Sequence, residues 1–598
     1  MIRTPLRPLA RILSARAKGI DPDTIESENL RVRHDEMRDR ARDRAEVRLL
    51  LLGAVFFMAF STIGARMGLL AATDPVEPRV MAPGAEILAQ RADITDRNGR
   101  ILATNMLTHA LYAHPKDMVD PKGVATRLAA IFPEMQASDL ERRFADGRSF
   151  MWLRKVLSPE QMQAVHEIGD PGLLFGPREM RLYPNGTLAA HVLGGTSFGN
   201  EGVSSAEVIG TAGIEKALDA RLRDPAQAGS PLELSLDLTI QATIEELLDA
   251  GMKMMNAKGA AAVLMDVRTG EIISMASLPA FDPNNRPNPV LPKGAEPGDS
   301  PLFNRAVQGV YELGSTFKIF ATAQALDLGL LNKDSMVDAR APMIWGKFKI
   351  NEFEGKNYGP LLSVEDVIAK SSNVGTARIA LMIGAERQQT FLRALGLFDA
   401  PPVELIEAPS ARPIVPKRWP DITTITVSYG HGIANSPLSL ATAYATIANG
   451  GIAVTPTLLR RTEPMKGVRV MSEKAAYDSI AMLRLVVTEG TASMGEVTGY
   501  SVGGKTGTAE KPKTAGGGYY KDKVINTFAA VFPTDNPRYV LTVTLDEPVE
   551  TSGSKPRRTA GWTAVPVAAE VIRRVAPLLG LRPQVEEVPV DAVTTVRN

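Results

Sequence analysis

The sequence predicts an α+β protein. It has a single N-terminal transmembrane helix over residues 49–72, a mixed α/β segment over 73–228, and a domain over 229–580 in which an antiparallel sheet is flanked by helices. Three observations predict this. A charge-free apolar run stands behind a cluster of arginines. Strand-patterned pairs lie near both ends of the last domain, and helix-patterned stretches fill the interval between them. Residues 1–48 then form a tail on one side of the membrane, and residues 581–598, rich in Pro, Val and Glu, form a loose end.

The anchor comes first in the chain. From Leu49 to Ala65 the residues run LLLLGAVFFMAFSTIGA without a charge, and after Arg66 the run continues apolar to Ala72. That nearly supplies the ~20 residues that cross a bilayer, and an arginine near the end can snorkel to the headgroups. Seven arginines lie between Arg31 and Arg48 and few basic residues follow the span, so the positive-inside bias keeps residues 1–48 in the cytoplasm and sends the remainder outward. A cleaved signal peptide would start within the first few residues, whereas here a long polar stretch precedes the apolar run. A buried core helix would not be apolar all round with arginines massed on one side.

Beyond the anchor, the closely spaced prolines from Asp74 to Gly84 predict an extended linker. The segment to about Asp224 carries short alternating runs such as Ile87–Ala89 and a turn at Arg97-Asn98-Gly99. Leu232–Leu236 alternates as a strand, and Leu238–Met255 is apolar at helical spacing. Ala260–Asp266 and Glu271–Ala276 read as a hairpin around Thr269-Gly270. Asn526–Phe532 and Tyr539–Leu545 form a second strand pair, and two hairpins with helices between them give the α+β class.

Composition bounds the function. With 598 residues the chain holds two or three folded units, and 44% hydrophobic with 23% charged residues is the composition of a folded protein. The net charge of +1 offers no basic excess for nucleic acid. There is no cysteine, which excludes disulfides, thiolate catalysis and cysteine-ligated metals. His109, His114, His166 and His191 are scattered, without the i,i+4 spacing of a helical metal site, and read as structural. No metal and no cofactor is called for.

Three short patterns carry chemistry: Ser315-Thr-Phe-Lys318, Ser371-Ser-Asn373 and Lys505-Thr-Gly507. Each is weak alone, since Ser552–Lys555 repeats the first and Ser27–Asn29 the second. Context separates them. Ser315 opens an apolar helical stretch that places Lys318 one turn on, on the same face, whereas Ser552–Lys555 sits among Gly and Pro and Ser27 is cytoplasmic.

A serine hydroxyl needs a base to become a nucleophile, and a lysine serves only when neutral. Bringing its pKa from ~10.4 toward 7 takes more than ~4 kcal/mol of bias, which the reading assigns to burial and to a second cation, Lys505. Lys505, with Thr506 and Thr508 beside it, is suited to a peptide's terminal carboxylate. Asn373 is suited to a substrate amide, and Ser371 to relaying a proton to a leaving amine. If Lys505–Thr508 is an edge strand, a substrate can pair along Thr506, Gly507 and Thr508. The backbone N–H groups of Ser315 and Thr508 then form an oxyanion hole, where one donor is worth ~3 kcal/mol.

Gly499–Thr506 also satisfies the phosphate-loop pattern, and Val540–Asp546 mimics a strand ending in a magnesium aspartate. A phosphate loop requires a helix directly after it, and Pro512 and the glycines at 516–518 forbid one.

With these motifs placed, the chain resembles the class B penicillin-binding proteins, and within them the cell-division transpeptidases. The resemblance runs from the anchor to about residue 575. It includes Arg181–Gly186, Ala190–Gly194, Gly213–Glu215, Thr269–Glu271, Phe281–Asn284, Asn304–Ala306, Tyr429–Ile433 with Pro437-Leu438, and Lys505–Glu510. It implies that 73–228 is an elongated pedestal of dimerisation type and 229–580 a transpeptidase domain. The implied activity is cross-linking of cell-wall stem peptides through an acyl-enzyme on Ser315, on a lipid-linked precursor ending in D-Ala-D-Ala. It further implies covalent inhibition by β-lactams, a location in the inner membrane with the catalytic domain in the periplasm, and partnership with a SEDS-family glycosyltransferase of the FtsW type and other division proteins. An elongation-type transpeptidase and a β-lactam sensor or β-lactamase are the alternatives. The chain departs from the family pattern at Arg91-Ala92, where Arg-Gly is usual, at Leu313 before Gly314-Ser315, where proline is frequent, and at His431, which replaces a tyrosine.

Overall fold

The computed structural model describes residues 9–72, 91–201, 206–227, 229–513 and 517–584. The linker at 74–84, the run at Ile87–Ala89 and most of the tail after 581 lie outside these. The described residues fall into two compact units, one drawn from Met1–Glu77, Leu111–Arg154 and Gln161–Leu174, the other from Pro78–Ala110, Lys155–Glu160 and Phe175–Asn598.

In the first unit the predicted anchor is part of one continuous helix, Pro22–Ala72, of 51 residues. It starts well before residue 49 because the preceding stretch is rich in arginine and glutamate, which are good helix formers. Arg48–Met67 is long and apolar enough to cross a membrane, with its side chains exposed all round. The same unit holds helices Pro121–Ile131 and Ala137–Ala145; Asp120 caps the first by accepting the Gly123 amide at 3.0 Å.

In the second unit, Ile94–Thr95 pairs antiparallel with Ile101–Ala103 and parallel with Leu232–Glu233. The strand predicted over Leu232–Leu236 is thus two residues long, and Leu234 instead bridges Leu459. The motifs quoted from the pedestal converge on one buried carboxylate. Glu215 takes Arg91 Nε on one oxygen and Arg181 Nε on the other, each at 2.6 Å, and Arg91 also reaches Asp219 at 2.7 Å. Tyr183 and Asn284 then exchange two hydrogen bonds of 2.9 Å, tying Arg181–Gly186 to Phe281–Asn284.

The catalytic sheet has strands β1 (Gly259–Asp266), β2 (Ile272–Leu278), β3 (Gly503–Pro512), β4 (Tyr519–Phe532) and β5 (Tyr539–Asp546), in the order β3-β4-β5-β1-β2 and antiparallel throughout. Both hairpins read from the sequence are present. Every residue of β1, β2 and β5 is buried, because helices cover both faces. The key helices are α1 (Leu238–Met254), α2 (Lys318–Asp327), α3 (Asn373–Ile383), α4 (Pro437–Ala448), α5 (Glu473–Thr488) and α6 (Ala564–Leu578). On one face Thr542 meets the Pro437 carbonyl at the start of α4; on the other, one step out of phase, Asn526 meets Thr563 at the start of α6. Edge strand β3 is left to border the site.

Candidate active site

Ser315 lies in a one-turn 3-10 helix, Gly314–Phe317, that runs directly into α2, whose first residue is Lys318. The turn is held from below by Tyr444 of α4, whose hydroxyl donates to the Thr316 carbonyl at 2.7 Å. It is gripped from the sides by two glycines. A methyl group at Gly507 of β3 would sit 2.2 Å from the Leu313 carbonyl oxygen, and one at Gly430 would sit 2.1 Å from that of Gly314. Only residues without a Cβ allow so close an approach, which accounts for the glycine of Lys505-Thr-Gly507.

Ser371 has a left-handed backbone, φ 59°, a conformation that non-glycine residues adopt only when the surroundings impose it. The imposed conformation places its hydroxyl between two amines. Lys318 Nζ donates to Ser371 Oγ at 3.1 Å and also to the Ser371 carbonyl; Lys505 Nζ donates to the same Oγ at 2.9 Å and to the Thr506 carbonyl at 3.2 Å. Residues from three distant stretches of chain therefore meet at one hydroxyl.

Both amines are buried. Burial pulls the Lys318 amine down to about 7, against an opposing attraction from the Glu352 carboxylate. Burial and repulsion from Lys318 also pull Lys505 well below its ordinary value. Desolvation thus leads the bias on Lys318, and the repulsion between the two amines acts on both. The two amines hold one charge more readily than two.

Glu352 lies outside the three sequence patterns. Its buried carboxylate underlies the start of α3, accepting Ser372 Oγ at 2.6 Å and the amides of Asn373 at 2.7 Å and Val374 at 3.2 Å. The two amides are orphan N–H groups of a helix N-terminus, where a carboxylate is favoured. Nothing in the spacing of residues signals this contact, because Glu352 enters from an irregular segment preceding a one-turn 3-10 helix. Asn373 directs its side-chain amide to the Asn351 carbonyl at 3.0 Å.

Strand β3 is an edge strand, pairing among the described residues only with β4. By strand alternation Lys505 and Gly507 share one face, and Thr506 and Thr508 the other. Thr506 Oγ1 lies 2.8 Å from Thr491 Oγ1, and Thr508 Oγ1 accepts the Ala560 amide at 3.0 Å. Because residues 503–512 are strand, the phosphate-loop reading of Gly499–Thr506 falls. Ser552–Lys555 lies outside regular structure and Ser27 in the long N-terminal helix, so neither belongs to the site.

A serine beside a depressed lysine, a second amine, and an edge strand is an acyl-transfer arrangement, and comparison with known proteins agrees. Residues 260–571 match the penicillin binding protein transpeptidase domain, and residues 86–227 match the penicillin-binding protein dimerisation domain. This chain belongs to the penicillin-binding protein transpeptidase family. Among penicillin-binding proteins it is 36% identical, over 94% of both chains, to a probable peptidoglycan D,D-transpeptidase FtsI of Caulobacter vibrioides. It is 29% identical to the peptidoglycan D,D-transpeptidase FtsI of Escherichia coli, over 85% of this chain and 86% of that one. The crystal structure of penicillin binding protein 3 from Mycobacterium tuberculosis, complexed with aztreonam, superposes with a TM-score of 0.62 at 25% identity, covering 86% of this chain and 98% of that one.

In this penicillin-binding protein, Glu352→Gln is expected to lower the unfolding stability by about 2 kcal/mol, since the new amide would turn N–H groups toward existing donors. It should also move the rise of acylation with pH to lower pH, because Glu352 is the charge that opposes the fall in the Lys318 pKa. A melting curve and a pH profile of β-lactam acylation check both.

Proposed function

We propose that this penicillin-binding protein is a peptidoglycan D,D-transpeptidase of septal cell-wall synthesis. The observation that carries this reading is the Ser371 hydroxyl standing 3.1 Å from Lys318 Nζ and 2.9 Å from Lys505 Nζ. Neutral Lys318 takes the proton of Ser315, whose Oγ attacks the carbonyl between the two terminal D-Ala residues of a stem peptide. Lys505 receives the terminal carboxylate, whose negative charge favours the protonated amine, and the donor strand pairs along the backbone of Thr506, Gly507 and Thr508 of the exposed edge. The backbone N–H groups of Ser315 and Thr508 stabilise the oxyanion. Asn373 holds the substrate amide, and Ser371 passes a proton from the lysine pair to the departing D-Ala amine. The acceptor amine of a neighbouring stem then attacks the acyl-enzyme, forming the cross-link and freeing Ser315.

The Arg48–Met67 helix anchors the protein in the inner membrane, its arginine-rich side in the cytoplasm and residues 73–598 in the periplasm. There the lipid-linked precursor and nascent glycan are the substrates, β-lactams act as inhibitors, and a SEDS-family glycosyltransferase with other division proteins supplies polymer. The similarity to proteins named FtsI supports the septal assignment.

The test supplies the purified full-length protein with nascent glycan bearing pentapeptide stems. Release of D-Ala in step with cross-links is expected; rapid turnover of penicillin without cross-links would replace this reading by a β-lactamase. A tagged copy is expected to concentrate at the septum, and a distribution along the side wall would assign the protein to elongation.

A further inference from the structure

Glu312 lies three residues before Ser315, and its carboxylate gathers groups from two other segments. Oε1 accepts the Gly432 amide at 3.0 Å and the Tyr519 hydroxyl at 2.9 Å, and Oε2 stands 2.9 Å from His431 Nδ1. The imidazole also packs on the Tyr519 ring, with centroids 4.9 Å apart. Gly430 of the same turn is pressed onto the Gly314 carbonyl. One carboxylate thus joins the approach to the nucleophile, the 429–432 turn and the first residue of β4, the strand paired with edge strand β3.

We propose that Glu312 and His431 are positioning residues for acylation: with Tyr519 they form a clasp that holds the 429–432 turn and the β3–β4 hairpin against the turn carrying Ser315. This rests on the transpeptidase reading of Ser315, yet the two fail differently. Loss of Ser315 removes acylation, whereas clasp variants change its dependence on pH.

The clasp responds to protons because of what surrounds the imidazole. Glu312, by hydrogen bond and charge, raises the His431 pKa; burial opposes this, and Glu510 of β3 adds to it. The Tyr519 hydroxyl is kept protonated, first by burial and then by Glu312. A histidine whose pKa is raised in the fold contributes its attraction fully below its ordinary value of ~6.5, and loses it as pH climbs through the raised value. The clasp is therefore tight in acid and slackens in alkali, while Lys318 needs a pH above about 7 to be neutral. Acylation gains from Lys318 losing its proton and from His431 keeping one.

The experiment measures the second-order rate constant for a fluorescent penicillin on the full-length protein in detergent, from pH 5.5 to 9.5. The proteins compared are the wild type, His431→Gln, His431→Tyr, Glu312→Gln and the His431→Gln/Glu312→Gln double variant. His431→Gln should react roughly two- to fivefold slower than wild type on the acid side, the range for a part-exposed ion pair, with the gap closing in alkali. Glu312→Gln should follow the same curve, and the double variant should add nothing further. His431→Tyr, which keeps a ring on Tyr519 but carries no titrating imidazole, should show the same acid-side gap. A constant ratio to wild type at every pH, or additive losses in the double variant, would overturn the clasp and leave ordinary packing. If Glu312→Gln melts early, the two His431 variants decide alone.

Discussion

Ser315→Ala abolishes covalent labelling by a fluorescent penicillin while leaving the melting curve in place; the expected loss is at least ~10³-fold, that of removing a nucleophile. The fold should tolerate the change because Ser315 is only half-buried and its turn is held by others: the Tyr444 hydroxyl, Gly507 and Gly430. The readout is a gel of labelled protein together with a thermal melt. Persistent labelling in the variant would remove Ser315 from the chemistry and, with it, the role given to Lys318.

Lys318→Met is expected to reduce the acylation rate by about 10³-fold, within the range for a positioned general base. In the wild type the rate should rise as pH passes about 7, the value to which burial brings this amine. The methionine variant should lack that rise. Stability should move the opposite way. The unfolded chain binds a proton at this lysine up to its ordinary pKa of 10.5, whereas the folded chain releases it near 7. Between those values the unfolded state carries more protons, so wild-type stability increases with pH across that window. Below it the amine stays charged in the fold, and the full cost of burying it, about 4–5 kcal/mol, is present. Lys318→Met should therefore melt above the wild type near pH 6, the gap narrowing as pH rises from 7 to 10. A variant that loses both activity and stability at pH 6 would contradict a strained catalytic amine. The expected pattern is that of a site whose chemistry is held at the expense of stability.

Glu352 shows why a carboxylate can matter to the lysine pair without belonging to any motif, and Glu312 how one can join three segments of chain. Glu352 satisfies three donors at the head of α3, and so orients Ser372 and Asn373, while Ser371 is bent into its left-handed conformation just before them. Glu312 collects the 429–432 turn and β4. Both enter from segments without periodicity, and their partners lie 20 to 207 residues away along the chain.

Some features are determined by neighbouring residues alone. The apolar run after the arginines, the placement of Ser315 and Lys318 one helical turn apart, and the short apolar runs of β1, β4 and β5 are local patterns, and their physics acts over a few residues. The two-residue strand at Leu232 already escapes that reading, because pairing depends on what lies alongside. The site itself is tertiary. The Ser371 hydroxyl comes between amines 53 and 134 residues distant, and Gly507 fits against the Leu313 carbonyl, only because the packed core brings those segments together. That same core withdraws water from Lys318. Desolvation is a property of surroundings, so the residue's reactivity belongs to the folded state and is encoded in no short stretch of sequence.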